Sequence, residues 1–193
     1  MNNFFLLPAV AFILPIAGQE LPYVFNGKDL SAWQVPDNNI WWHVESGVLK
    51  VRSDPQQSAQ TLWTKQDYRN FVMTFEFRMG EGTVDTGIFL RHEREQIQIG
   101  MSGSMKRDMT GSPYISGKGY PVEANVREVL KLKGWNEMTI IAKGKNYTVF
   151  VNGKHVMSYD SEGAIKKGPI GIQLHGNRDM SCQYRNIRLA ELN

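Results

Sequence analysis

The sequence predicts an all-β protein folded as a single antiparallel β-sandwich. Residues Phe71–Arg78 alternate apolar side chains with mostly polar ones, which is the period-two pattern of a half-buried strand. Asn152-Gly153 and Ser46-Gly47 each separate two strand-like segments, and such dipeptides fit tight hairpin turns because they tolerate positive φ. Short segments rich in β-branched and aromatic residues recur about every ten residues. These observations favour antiparallel strands over helices.

The composition is that of an ordinary globular domain, which we expect to span residues 21–193. The chain has 193 residues, of which 41% are hydrophobic and 21% charged. Its 22 basic and 19 acidic residues leave a net charge of +3. This small excess does not indicate the strongly basic surface that binding to nucleic acid or to an anionic membrane requires. The single cysteine, Cys182, excludes a disulfide framework within the chain.

The amino-terminal segment has the features of a cleavable signal peptide over residues 1–18. Phe4–Ala17 is apolar and uncharged, and it is shorter than the roughly 20 residues of a membrane span. The small residues Ala17-Gly18 precede polar Gln19, as at a signal-peptidase cut. A core strand or helix is the alternative. We expect export to the periplasm or the medium, with no membrane attachment after the segment is removed.

Two segments depart from the strand pattern. Val122–Lys133 has the spacing of a short amphipathic helix, with Val126, Val129 and Leu130 on one stripe. Gly100–Gly119 holds five glycines and several serines, which predicts a long loop. Because long ordered loops in compact domains are often functional, we expect this loop to form the rim of a site.

Three predicted strands turn apolar residues inwards and polar or aromatic residues outwards. The inward positions are Ile88, Leu90, Ile97, Ile99, Ile170, Ile172 and Leu174. The outward positions are Phe89, Arg91, Gln96, Gln98, Gln173 and His175. A solvated face would more often carry Lys, Glu and Thr. Amides bind hydroxyl groups and an aromatic ring covers a pyranose face, so this set predicts a sugar-binding pocket.

Catalytic motifs are scarce. The sequence has no Gly-x-Ser-x-Gly, phosphate loop, paired-His helix or calcium loop. Glu93 and Glu95 would share one face of a strand with their Cα atoms about 6.6 Å apart. Because glycosidase carboxylates are separated by about 5 to 9 Å, a two-carboxylate glucanase is one alternative. Charged residues near a strand turn are more often simply solvated.

Seven motifs follow one another along the chain: Phe25–Trp33, Trp42–Leu49, Thr86–Arg91, Trp135–Glu137, Val151–Gly153, Gly168–Gly176 and Tyr184–Arg188. In this order they resemble the 3-keto-disaccharide hydrolase family, also described as 3-keto-glucoside 1,2-lyase/hydratase domains. The resemblance runs from Phe25 to Leu192. It implies a concanavalin A-like jelly roll in a secreted bacterial protein that acts on sugars oxidised at carbon 3, downstream of a sugar 3-dehydrogenase.

The chain departs from that family at two places. Family members commonly carry Glu-x-Gln on the strand after the arginine, and aligning the glutamine with Gln98 puts Gln96 at the glutamate position. A carboxylate that could act as base or metal ligand is thereby replaced by an amide. The family's Asn-Ser-Gly is here Asp85-Thr86-Gly87, so Asp85 supplies a nearby carboxylate or caps a turn.

The implied chemistry is elimination from a 3-keto-glycoside followed by hydration. It needs a base for the proton on carbon 2, donors for the enolate and an acid for the leaving oxygen. We expect His175 as the base, since imidazole exchanges protons near neutral pH. Arg91 would bind the oxyanion, and Gln98 and Gln173 would orient hydroxyls. A divalent metal is compatible with these residues, but no spacing demands it. A non-catalytic, lectin-like module is the competing function.

Overall fold

The computed structural model describes residues 20–192, and the predicted signal segment lies outside this range. The described chain forms fourteen β-strands. They are β1 (Trp33–Gln34), β2 (Trp42–Glu45), β3 (Val48–Arg52), β4 (Gln60–Tyr68), β5 (Phe71–Gly82), β6 (Asp85–Leu90), β7 (Glu95–Ser102), β8 (Arg107–Asp108), β9 (Pro113–Ile115), β10 (Asn136–Lys143), β11 (Asn146–Val151), β12 (Lys154–Asp160), β13 (Gly168–Leu174) and β14 (Met180–Glu191).

The strands form two antiparallel sheets of seven strands each. The front sheet has the order β1-β4-β13-β6-β7-β8, with β9 also paired to β7. The back sheet has the order β12-β11-β10-β5-β14-β3-β2. The predicted antiparallel sandwich is therefore confirmed, and it is the concanavalin A-like jelly roll that the resemblance implies.

The inward faces of the two sheets form one hydrophobic core. All nine residues that the period-two pattern places inwards on three of the strands are at most 1% exposed: Phe71, Met73, Phe75, Phe77, Ile97, Ile99, Ile170, Ile172 and Leu174. Because a one-residue slip would turn each set outwards, this burial confirms the predicted register. Phe89, Gln96 and Gln98 lie outside that core cluster, on the outer face of the front sheet.

The predicted hairpin turn at Asn152-Gly153 is confirmed by positive φ values of 49° and 76°. The predicted helix over Val122–Lys133 is wrong, because residues 20–192 contain no helix. Only a turn forms there, in which the carbonyl of Val126 accepts from the amides of Val129 and Leu130. The described chain accordingly has no helix long and apolar enough to cross a membrane.

The single cysteine, Cys182, is completely buried on β14. Burial raises the pKa of its thiol to about 12. It therefore behaves as a small core residue.

Candidate functional site

A pocket of about 360 Å³ opens on the outer face of the front sheet. Six of the seven residues predicted for the site line it: Asp85, Phe89, Gln96, Gln98, Gln173 and His175. Strands β6, β7 and β13 supply these residues, with His175 directly after β13. The predicted rim loop contributes Ser102–Ser104 and Tyr114 to the wall.

The register of three strands brings the side chains together. Phe89 on β6 lies opposite Gln96 on β7 and opposite Gly171 on β13. Gly87 lies opposite Gln98. A Cβ atom on Gly87 would lie 2.8 Å from Oε1 of Gln96 and 2.7 Å from the carbonyl oxygen of Ile97, so only glycine leaves room for the Gln96 amide there.

A directed chain of hydrogen bonds crosses the floor of the pocket. Nε2 of Gln98 donates to Oδ1 of Asp85 at 2.9 Å, and Nε2 of Gln96 donates to Oε1 of Gln98 at 3.1 Å. An ionised carboxylate only accepts hydrogen bonds, so Asp85 fixes the orientation of the Gln98 amide. The Gln98 oxygen then fixes the Gln96 amide in turn. Nε of Arg178 lies 3.3 Å from the second Asp85 oxygen and completes the chain.

Two buried amide oxygens in this pocket have no hydrogen-bond partner within residues 20–192. They are Oε1 of Gln96 and Oε1 of Gln173. An unpaired acceptor in a low-dielectric site is costly, and native proteins usually satisfy such groups. Both oxygens therefore suit a ligand that donates hydrogen bonds, and sugar hydroxyls are donors of this kind.

His175 has a defined tautomer in its neutral form. Nδ1 lies 2.6 Å from the carbonyl oxygen of Gly176. A carbonyl oxygen can only accept, so Nδ1 carries the proton and Nε2 carries the free electron pair. No group within residues 20–192 is hydrogen-bonded to Nε2. The ring can therefore accept a proton from a ligand in the pocket.

Two tyrosines stand on the wall of the pocket. The rings of Tyr114 and Tyr120 meet edge to face, with centroids 5.2 Å apart. Burial raises the pKa of Tyr120 to about 12; a hydrogen bond with Ser102 opposes this rise, and the neighbouring Asp85 and Tyr114 add to it. The Tyr120 phenol keeps its proton at neutral pH and acts as a hydrogen-bond donor rather than a base.

The prediction that Arg91 projects into the pocket is wrong. Arg91 is only 2% exposed, and its φ of +72° turns it away from the face that Phe89 occupies. Its Nε donates to the carbonyl of Arg69 at 2.8 Å and its Nη1 to that of Gly144 at 3.1 Å. The guanidinium also lies over the ring of Phe71. Arg91 therefore ties adjoining segments together at the far end of β6.

Glu93 and Glu95 do not form a pair, so the two-carboxylate glucanase has no support in the geometry. Glu93 lines the pocket. Glu95 is buried, and its carboxylate accepts hydrogen bonds from the hydroxyls of Tyr147 and Ser161. Glu95 shares the inward face with Ile97, as period-two alternation requires.

The pocket does not fit a divalent metal. Within residues 20–192 no group of three or more His, Cys, Asp or Glu side chains is placed to hold a metal ion. The buried carboxylate of Asp85 faces the amide nitrogen of Gln98 and the guanidinium of Arg178. A guanidinium repels a cation. The Asp85 carboxylate is therefore paired with the positive side chain of Arg178 and not with a metal ion.

Sequence reasoning missed two residues of the pocket wall, namely Arg178 and Tyr120. Arg178 and Tyr120 lie in loops, where no periodicity shows which way a side chain points. The one available signal was position, since Tyr120 directly follows the long glycine-rich segment Gly100–Gly119.

Comparisons with solved structures identify the fold. A Parabacteroides distasonis protein provisionally assigned as a glycosyl hydrolase is 23% identical, with a TM-score of 0.68, over 90% of this chain and 100% of that one. A second such protein from the same organism is 18% identical, with a TM-score of 0.65, over 88% and 93%. The lumenal domain of VIP36, bound to Ca²⁺ and Man3GlcNAc, is 10% identical, with a TM-score of 0.63, over 91% of each chain. At these identities the likeness shows the fold alone.

The family assignment rests on a match to a sequence model. No curated protein matches the chain significantly. The model of the 3-keto-alpha-glucoside-1,2-lyase-like domain, however, matches residues 22–190, which is most of the chain and agrees with the resemblance in its motifs. The chain therefore belongs to the 3-keto-alpha-glucoside-1,2-lyase-like domain family.

Proposed function

We propose that this protein cleaves 3-keto-glycosides by elimination followed by hydration. The observation that carries the proposal is one pocket holding an imidazole with a free Nε2, two unpartnered amide acceptors and a guanidinium. The family assignment and the fold neighbours named as glycosyl hydrolases support a carbohydrate-related function. The substrate would come from a sugar 3-dehydrogenase, because the ketone at carbon 3 must be introduced by oxidation.

The first step removes a proton. A ketone at carbon 3 makes the hydrogen on carbon 2 acidic, and Nε2 of His175 takes it. The electron pair of that bond forms the carbon 2–carbon 3 double bond of an enolate, whose negative charge lies on the keto oxygen. Oε1 of Gln96 and Oε1 of Gln173 accept hydrogen bonds from the sugar hydroxyls and hold the ring in position.

Arg178 replaces Arg91 as the group that stabilises the enolate. Its Nε faces Asp85, its Nη1 donates to the carbonyl of Asn177 at 3.0 Å, and no group within residues 20–192 accepts from its Nη2. Nη2 of Arg178 and the protonated phenol of Tyr120 are therefore available to donate hydrogen bonds to the enolate oxygen.

Collapse of the enolate breaks the bond between carbon 1 and the glycosidic oxygen. The leaving oxygen takes the proton that Nε2 of His175 removed from carbon 2, and a double bond forms between carbons 1 and 2. Water then adds to this enone, with hydroxide at carbon 1 and a proton at carbon 2, so the net reaction is hydrolysis. Because no oxocarbenium ion forms, a pair of carboxylates is unnecessary, which agrees with the isolation of Glu93 from Glu95.

The direct test is incubation of the protein with 3-keto-trehalose and with methyl 3-keto-glucoside. We expect release of free sugar or of methanol, with a transient enone absorbing in the ultraviolet. A lectin-like module is the second candidate, and Gln96 at the position of the family's glutamate favours it. Sugar binding in a calorimeter without any cleavage would decide for the module.

We also propose export after removal of residues 1–18. The support is the apolar segment Phe4–Ala17 followed by small residues. Mass spectrometry of the protein from its native host would then find an amino terminus at or near Gly18 or Gln19. A retained Met1 on a cytoplasmic protein would overturn this part of the proposal.

A further inference from the structure

We propose that Trp63 and Phe89 form a second subsite beside the pocket, which binds the ring of the leaving sugar. This inference rests on the proposed function, because elimination at carbon 1 makes the second ring of a disaccharide the leaving group. It assigns the residues that bind the leaving group, which needs a flat apolar face such as that of a second sugar ring.

The first support is the geometry of the two rings. Trp63 on β4 and Phe89 on β6 are stacked with their centroids 5.5 Å apart and their planes 20° apart. Neither ring belongs to the hydrophobic core cluster between the sheets. Together they form an aromatic platform on the outer face of the front sheet, in which Phe89 is 7% exposed and Trp63 is half-buried.

The second support is the strand that lies between the two rings. Gly171 on β13 is the register partner of both Trp63 and Phe89. A Cβ atom on Gly171 would lie 2.7 Å from Cε3 and 2.7 Å from Cζ3 of the Trp63 ring. The indole of Trp63 therefore occupies the space that a side chain at position 171 would fill. Glycine at this position lets the Trp63 ring lie over β13 and reach Phe89.

The third support is continuity with the pocket. Phe89 lines the pocket, so the platform begins where the wall of the pocket ends. The pocket has a volume of about 360 Å³, at the small end of the range for ligand sites, and the platform extends its surface. Pyranose C–H groups pack against aromatic faces, which is the chemistry that the exposed side of Trp63 offers.

The experiment compares two substrates in three proteins. Trp63→Leu removes the flat ring but keeps an apolar side chain over Gly171. Trp135→Leu is the matched control, because Trp135 packs against Arg78 and Arg185 on the outer face of the back sheet. We expect Trp63→Leu to lower kcat/KM for 3-keto-trehalose about tenfold, chiefly through KM, and to change that for methyl 3-keto-glucoside by less than about twofold. The Trp135→Leu control should resemble the wild type with both substrates.

Two results would overturn the subsite: equal losses with both substrates, or an unchanged KM for the disaccharide. If the wild type cleaves neither substrate, the proposed function fails and the subsite is tested by calorimetry alone. Trehalose that binds the wild type more tightly than methyl glucoside, with the difference lost in Trp63→Leu, would still support a second sugar-ring subsite. No such difference would overturn it.

Discussion

Asp85 on β6 and Arg178 in the loop after β13 are 93 residues apart in the chain, yet Nε of Arg178 lies 3.3 Å from Oδ2 of Asp85. The carboxylate is almost completely buried, whereas the arginine side chain is 30% exposed. Because Arg178 follows His175 by three residues, this ion pair holds the loop that carries the proposed base against the sheet that carries the amides.

The first prediction concerns this ion pair. In Asp85→Asn the amide can still accept from Gln98, but its nitrogen then faces another donor on Arg178. We expect the free energy of unfolding to fall by about 1–3 kcal/mol, because a buried amide nitrogen then lacks an acceptor and the ion pair with Arg178 is lost. KM should rise because the loop that carries His175 is no longer held against the sheet. Urea unfolding and steady-state kinetics measure the two effects. Unchanged stability and kinetics would show that the pair is incidental.

The second prediction tests His175 as the base. His175→Ala should retain the fold and lower kcat for 3-keto-glycosides by about 10²- to 10⁴-fold, the usual effect of losing a general base. His155→Ala is the matched control, since His155 lies exposed on β12 of the back sheet. Circular dichroism checks the fold of both variants. Full activity in His175→Ala would exclude this residue as the base and direct attention to Asp85 and Glu93.

The third prediction separates Arg91 from the chemistry. Lysine cannot reach the carbonyls of Arg69 and Gly144 together, because one ammonium replaces a fork of donors. Arg91→Lys should therefore lower the free energy of unfolding by about 1–3 kcal/mol while kcat changes by less than about twofold. A large loss of kcat without a loss of stability would contradict this prediction and show that Arg91 takes part in catalysis.

The fourth prediction concerns alkaline pH. Burial raises the pKa of Tyr120 to about 12, and it raises the pKa values of Tyr68, Tyr147 and Tyr184 as well. In the unfolded chain these phenols ionise near about pH 10, so above that pH the native state binds more protons than the unfolded state. The contribution of these phenols to the free energy of unfolding is then constant below about pH 10 and falls above it, by up to about 1.4 kcal/mol per pH unit for each group.

Urea unfolding midpoints at about pH 8 and about pH 11 measure this loss, and tyrosinate absorbance follows the ionisation itself. Midpoints that do not differ, or tyrosines that all ionise near about pH 10 in the folded protein, would contradict the burial of these phenols.

The sequence predicts a side chain's direction well only where the chain stays extended. His175 and Arg91 each follow directly after a strand, β13 and β6 respectively. Alternation places His175 correctly, in the pocket with Gln173. At Arg91 the backbone adopts a φ of +72°, which breaks the alternation and sends the side chain elsewhere. Nothing in the pattern of apolar residues reveals that change.

The sequence pattern does not predict contacts between residues that are far apart in the chain. Arg178 reaches Asp85 from a loop, and Tyr120 stands beside Asp85 from another loop. Trp63 was missed for a different reason. It is a large apolar residue next to Leu62, and apolar character alone does not tell an outward platform from the core. Its pairing with Gly171 and Phe89 becomes visible only in the register of three strands.

Because Cys182 is buried, the reactivity of its thiol reports on unfolding of the protein. The chain has one cysteine, and only an exposed thiolate reacts at an appreciable rate with a disulfide reagent. Labelling in native buffer therefore waits until the sandwich opens around β14, so its rate measures how often that opening occurs. Variants such as Arg91→Lys and Asp85→Asn can be ranked in this way without denaturant, and a bound sugar that stabilises the front sheet should slow the labelling of a thiol it never touches.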